Sequence, residues 1–237
     1  MRAIMNKIFL QQGISVSAQA VERLELYMDL LIHWNRKMNL TTITDREQII
    51  LKHFLDSLML VKFEELKGKR LIDIGTGAGL PGFILGAYEN SLNVTLMDSR
   101  MKKIAFLNEV IHKMDLTNIK TLSARAEDKA GEPNLRESFD IATSRAVAKL
   151  SALCEYALPY VAIGGIFAAY KSGEYHKELD EAKTAVDILG GKVERVEEFK
   201  LGEDDELSRS IIFIRKLSHT PQKYPRKSNS IAKKPII

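Results

Sequence analysis

Residues 71–82 read Leu-Ile-Asp-Ile-Gly-Thr-Gly-Ala-Gly-Leu-Pro-Gly, a pattern whose residue types can hold a small ligand against bare backbone. Leu71, Ile72 and Ile74 form a short apolar run of the kind that makes a fully buried parallel strand. Gly75, Gly77 and Gly79 allow positive φ and close approach of a ligand, and Pro81 suits the first turn of a helix. A strand ending in a glycine turn beneath a helix N-terminus is the ligand crevice of an open α/β sheet. Asp98 ends a second strand-like run, 23 residues beyond Gly75, about where an acid receives a ribose hydroxyl pair. A charged hydrogen bond there contributes about 1.5 to 3 kcal/mol. Asp98 with Ser99 also reads as a cap for the helix that follows.

The glycine spacing narrows the ligand. A dinucleotide fingerprint, G-x-G-x-x-G, would place its third glycine at position 80, which is Leu80. Here the order is G-x-G-x-G, with Asp73 two residues ahead of it. That variant resembles the first motif of Rossmann-like methyltransferases that use S-adenosyl-L-methionine.

The elements that must position these residues follow from periodicity. Helical spacing of Val21, Leu24, Tyr27, Met28, Leu31 and Trp34 predicts an amphipathic helix over 17–37, capped by Ser15 or Ser17. A second helix is expected over 46–60, with Ile49, Ile50, His53, Phe54, Leu58 and Val61 inward. His53, Asp56 and Ser57 share one of its faces. Asn39 and His53 then fall on the crevice rim in a functional reading, although a lone histidine on an apolar helix face is more often a packed core residue. Strands are predicted at 70–75, 93–98, 119–123, 139–144, 166–171, 191–199 and 209–216. Helices are predicted at 81–88, 101–114, 150–158 and 175–189. Their alternation implies a parallel sheet. The 200–207 link is too short for a parallel crossover, so the last two strands are expected to pair antiparallel. Gly164 and Gly165 read as a turn before the fifth strand. The boundaries suggest an N-terminal helical extension (1–66), a Rossmann-like domain (67–217) and a basic tail (218–237).

Composition limits the remaining classes. The chain has 237 residues and a single cysteine, Cys154, in an apolar stretch, so a core is expected without disulfides and Cys154 reads as part of it. No apolar run has the length of a membrane span, and the N-terminus lacks a signal-peptide pattern; a cytoplasmic location is expected. No metal-ligand set is expected. The formal charge is +4, and beyond Glu206 the chain carries eight Lys or Arg and no acid. A basic tail with Tyr224 and three prolines suits a polyanion, or else is a solvated, disordered extension.

Further segments carry a family resemblance. They are Asn39-Leu40-Thr41, His53-Phe54-Leu55-Asp56-Ser57, the glycine loop, Asp98-Ser99, Arg125-Ala126-Glu127, Ser144-Arg145-Ala146, Tyr170-Lys171-Ser172-Gly173 and Thr220 through Lys227. In this order they closely resemble the bacterial 16S ribosomal RNA methyltransferase G family, also called glucose-inhibited division protein B. The resemblance implies methylation of guanine N7 in the decoding region of 16S rRNA by a class I methyltransferase fold: a seven-stranded, mostly parallel sheet with an antiparallel last strand. It implies S-adenosyl-L-methionine as methyl donor, with Gly75 and Leu80 at the methionine end, Ala126 and Glu127 by the adenine, and Arg145 in the cofactor set; Gly77, Gly79 and Asp98 join them from the loop reading. Arg125, Lys171 and Arg209 match basic positions facing RNA, and Asn39, Lys223, Arg226 and Lys227 complete the expected RNA contacts. Two departures stand out: Ile84 replaces a proline common in the family, and 228–237 lacks the usual glycine.

Guanine N7 carries a free lone pair and no proton, so no acid/base pair is expected. Arg145 and Lys171 are assigned positioning roles. The expected partner is 16S rRNA or the small subunit, without membrane or DNA, and the chain is expected to be a monomer. A methyltransferase for another acceptor, a dinucleotide oxidoreductase and a non-catalytic RNA-binding protein remain as alternatives.

Overall fold

In the computed structural model the glycine loop leaves the middle of a sheet. The structure describes residues 1–145, 148–172, 175–202 and 208–236, so Ala146 and Gly173 of the motifs above, and most of the 200–207 link, lie outside the described residues. The strands are β1 (Arg70–Ile74), β2 (Asn93–Asp98), β3 (Ile119–Ser123), β4 (Phe139–Arg145), β5 (Val161–Ser172), β6 (Gly191–Phe199) and β7 (Arg209–Lys216). Their order is β3-β2-β1-β4-β5-β7-β6. Pairing is parallel from β3 to β5, while β7 runs antiparallel to both β5 and β6. The order reverses between β1 and β4, which puts the crevice at the carboxyl ends of those strands.

Helices cover both faces. On one lie α1 (Arg2–Gln11), α2 (Ala18–Asn35), α5 (Gly82–Tyr88) and α6 (Met101–Lys113). With them goes an unbroken helical run formed by α3 (Arg46–Ile49), a π-helical turn (Ile50–Leu55), α4 (Asp56–Leu58) and a 3-10 turn (Met59–Lys62). Their apolar stripes meet the sheet in one core that includes Met5, Tyr27, Phe54, Phe83 and Leu96. The N-terminal helices therefore share their core with the sheet rather than forming one of their own. On the other face α7 (Ala126–Lys129), α8 (Leu150–Ala157) and α9 (His176–Ile188) bury Ile72, Ile74, Leu153 and Ala185. Cys154 belongs to this second core, where burial pushes its thiol up to about 12.

Several expectations change in detail. Ser17, not Ser15, caps α2 by accepting the Ala20 N–H at 3.1 Å. Gly164 and Gly165 do not make a turn: β5 continues through them, and its register against β4 shifts there. Gly164 has φ of +85°, and a Cβ on Gly165 would stand 2.7 Å from the Asp140 carbonyl oxygen. The pair thus forms a bulge that only glycine fits. α1 has no counterpart in the sequence reading. Nor does α10 (Ser228–Lys233), which lies in the tail.

Candidate cofactor and nucleic-acid site

The loop after β1 holds its shape through Asp73. This carboxylate is fully buried and accepts from Thr76 Oγ1 at 2.6 Å, the Gly82 N–H at 3.0 Å and Thr143 Oγ1 at 2.9 Å. Burial raises its pKa even so. It therefore works as an internal clamp between β1, β4 and the start of α5. Tyr27 of α2 supports the loop from the other side, donating its hydroxyl to the Ala78 carbonyl at 2.6 Å and stacking on Phe83 at 4.8 Å.

Gly75 and Gly77 take φ of +69° and +62°, and with Leu80 they line a cavity of about 1010 Å³. Asp98 lines it too, with one carboxylate oxygen accepting the Gly77 N–H at 2.9 Å and the other the Arg100 N–H at 2.9 Å. No side chain caps α6, so Asp98 ties its strand to the glycine loop instead. Gly79 differs from its neighbours. It is absent from the lining, and a Cβ there would stand 2.8 Å from both Leu107 and Phe83. Its φ of +101° and its lack of a side chain serve packing beneath the loop, not ligand approach.

Ala126, Glu127 and Arg125 enter the same cavity from the end of β3. Tyr160 donates to the Ala126 carbonyl at 2.5 Å and so fixes that backbone. Thr41 and His53 form the opposite rim. Asn39 is exposed and stays off the lining, whereas Asn35 builds the rim: its side-chain oxygen accepts the Leu40 and Thr41 N–H groups at 2.8 and 3.0 Å. His53 is buried, with Nδ1 at 3.1 Å from the Lys52 carbonyl and Nε2 at 2.8 Å from Thr41 Oγ1. A carbonyl only accepts, so Nδ1 carries the proton and Nε2 accepts from the threonine. Burial, and then the Arg145 charge, lower the His53 pKa to about 4.

Arg145, at the end of β4, crosses to the π-helical turn. It donates to the Lys52 carbonyl at 3.1 Å and to Asp56 at 2.6 Å. The widened turn is where this arginine docks, as such turns often do at working sites. Arg145 and Ala148 also border a second cavity of about 450 Å³, reached by Asp56, Lys171, Glu178 and Arg209. Lys171 is held by Glu178 at 2.6 Å and by the Ala148 carbonyl at 2.8 Å. Arg209 Nε stands 4.0 Å from Asp56.

The tail packs back onto the body rather than trailing into solvent. Glu155 of α8, fully buried, receives the Arg226 N–H and guanidinium at 2.7, 2.9 and 2.7 Å. Arg226 is thus committed inward, against its expected place among the RNA contacts, because a buried carboxylate requires a partner. At the start of the tail the ammonium of fully buried Lys216 reaches the Leu158 and Leu189 carbonyls, both at 3.0 Å, and Thr220. Anchored at both points, the tail brings α10 to the cavity, where Ser228, Asn229 and Ala232 complete the wall and Arg125 bonds Ser228 at 3.2 Å. Lys223 and Lys227 remain exposed.

Lys103, absent from the residues expected at the site, also lines the cavity, 4.0 Å from Asp98. A basic residue one turn into the helix after a candidate ribose acid is the signal that would have found it. Asn229 had no such local signal.

Residues 20–212 match the family model for rRNA small subunit methyltransferase G. The chain is 48% identical to the protein of that name from Lachnoclostridium phytofermentans, over 95% of this chain and 93% of the relative. It is 45% identical to the one from Clostridium beijerinckii, over 98% of each. Among solved structures, M. jannaschii TYW2 in complex with AdoMet superposes with a TM-score of 0.56, over 74% of this chain and 80% of that one, at 14% identity. That likeness is one of fold alone. The family match and the near full-length relatives carry the conclusion: this chain belongs to the rRNA small subunit methyltransferase G family.

Proposed function

We propose that this protein transfers the methyl group of S-adenosyl-L-methionine to N7 of a guanine in the decoding region of 16S rRNA. The observation that carries the reading is one continuous cavity at the carboxyl ends of β1 to β4, walled by Gly75, Gly77, Asp98, Glu127 and Arg145, in a chain of this family.

The residues fit the methyl donor. Gly75 and Gly77 expose backbone, Asp98 offers acceptor oxygens for the ribose, Ala126 and Glu127 border the adenine end, and Leu80 the methionine end. The donor supplies a methyl group on a sulfonium, a strong electrophile. The N7 lone pair forms the new carbon–nitrogen bond while the carbon–sulfur bond breaks and its electron pair passes to sulfur. The purine takes up the positive charge, and no proton moves. Residues of this chain are then needed to orient and exclude water, not to exchange protons. The neutral, doubly bonded His53 suits a structural role on the rim. Arg145 and Lys171, held by Asp56 and Glu178, suit positioning of the acceptor nucleotide.

Substrate contact begins with charge. Arg125, Lys223 and Lys227 are exposed around the cavity mouth and tail, a distribution suited to phosphates. This reading takes the protein to act as a monomer in the cytoplasm, on rRNA or the small subunit. The test is transfer of labelled methyl to small subunits, and to protein-free 16S rRNA, from cells lacking this gene. Cleavage at 7-methylguanine then maps the product. A single decoding-region site is expected, and donor binding without transfer to either RNA would overturn the reading.

A further inference from the structure

The second cavity is separate from the space assigned to the methyl donor but shares Arg145 and Ala148 with it. Its lining is unusual in charge: Arg145, Lys171 and Arg209 against Asp56 and Glu178, a surplus of one positive charge. Asp56 is buried, and one of its oxygens is 2.6 Å from Arg145 Nη1 while the other is 4.0 Å from Arg209 Nε. Arg145 hydrogen-bonds one oxygen, while Arg209 faces the other at ion-pair distance only. A carboxylate has about four acceptor positions, so a ligand with two adjacent donors can still engage it.

Among the nucleobases guanine presents such a pair, N1–H beside the N2 amino group. Adenine offers an acceptor at N1, which a carboxylate repels. A base bound by that edge turns its opposite edge, with N7 and O6, away from Asp56, and the cations of the cavity suit O6 and the nucleotide phosphate. Enzymes that act on a base extrude it from its stack and read its Watson–Crick edge in a pocket. A volume of about 450 Å³ is in the range of small-ligand cavities.

The geometry points to this second cavity as the receptor for the extruded guanine, with Asp56 as the residue that selects guanine through N1–H and N2–H. This rests on the proposed methyl transfer and goes beyond it by assigning a residue to base choice. Asp56 also orients Arg145, so the two roles must be separated.

Inosine separates them, because it keeps N7, O6 and N1–H and lacks only the 2-amino group. Small-subunit RNA is assembled by ligation with guanosine or inosine at the acceptor position, and kcat/KM for methyl transfer is measured with each. The unaltered protein should prefer guanosine by about 10- to 100-fold, the equivalent of one charge-assisted hydrogen bond. In Asp56→Asn, one acceptor is replaced by a donor and the preference should shrink to a few-fold. Equal rates on the two substrates by the unaltered protein would overturn the assignment, and that arm does not depend on the variant folding. A variant that slows both substrates alike and keeps the full preference would also overturn it, leaving Asp56 a support for Arg145. Absence of transfer to guanosine itself would instead defeat the methyltransferase reading beneath it.

Discussion

At the scale of single residues, several groups in this site matter for the charge they are made to hold. His53 is the clearest case. Burial and the neighbouring Arg145 bring its pKa from an ordinary 6.5 to about 4. The folded protein keeps the ring neutral where the unfolded chain takes up a proton. The associated stability is complete above pH 6.5 and is lost as pH falls towards 4, and it amounts to about 3 kcal/mol. Urea unfolding of the unaltered protein and of His53→Gln, between about pH 7 and pH 4.5, should show a steeper acid loss for the former. Parallel profiles would mean that the ring is not held neutral. Asp73 and Gly79 make a related point, since both belong to the glycine motif and neither lines the cavity. Asp73 binds the loop together from inside, and Gly79 clears space for Leu107 and Phe83.

At the scale of elements, the tail contributes most that is new. Arg226 and Glu155 form a pair whose carboxylate is 1% exposed and whose guanidinium is 30% exposed. This pair anchors α10, which supplies part of the wall of the large cavity. Arg226→Ala strands a buried carboxylate and should cost about 3 kcal/mol of stability. The same change should weaken donor binding about tenfold through loss of preorganisation, as measured by calorimetry on protein that remains folded. Unchanged donor affinity in the destabilised protein would show that α10 is no working part of the wall. The helical run from α3 to the 3-10 turn has a comparable function. Its π-helical turn presents the Lys52 carbonyl, and the first residue of α4 presents the Asp56 carboxylate, to an arginine from β4, joining the N-terminal helices to the carboxyl end of that strand.

At the scale of the whole molecule, charge is distributed so that the inward cations hold the structure together and the outward ones face solvent. Lys223, Lys227, Lys233 and Lys234 are all exposed, whereas Lys216 and Arg226 are spent on internal partners. If the exposed four meet phosphates, changing them together to Gln should lower the log-log salt slope of rRNA binding by about 3. Binding measured over a range of salt gives that slope directly, and an unaltered value would remove the tail from the RNA interface. Among the described residues no helix is long and apolar enough to cross a membrane.

How much of this was legible in the chain depends on the range of each interaction. Local signals sufficed for the strand, glycine turn and helix of the crevice, the α/β alternation and the antiparallel end of the sheet. All of these arise from local period, glycine chemistry and link length, which act over a few residues. Which of the glycines face the cavity, that Arg226 turns inward, that β5 passes through its two glycines as a bulge, and that Asp56 meets Arg145 from 89 positions away emerge only once the chain is packed. The glycine outcomes depend on which atoms pack against the backbone, and the two ion pairs on burial: a charge removed from water must find an opposite charge wherever the fold brings one. Nothing in the neighbouring sequence records where that will be.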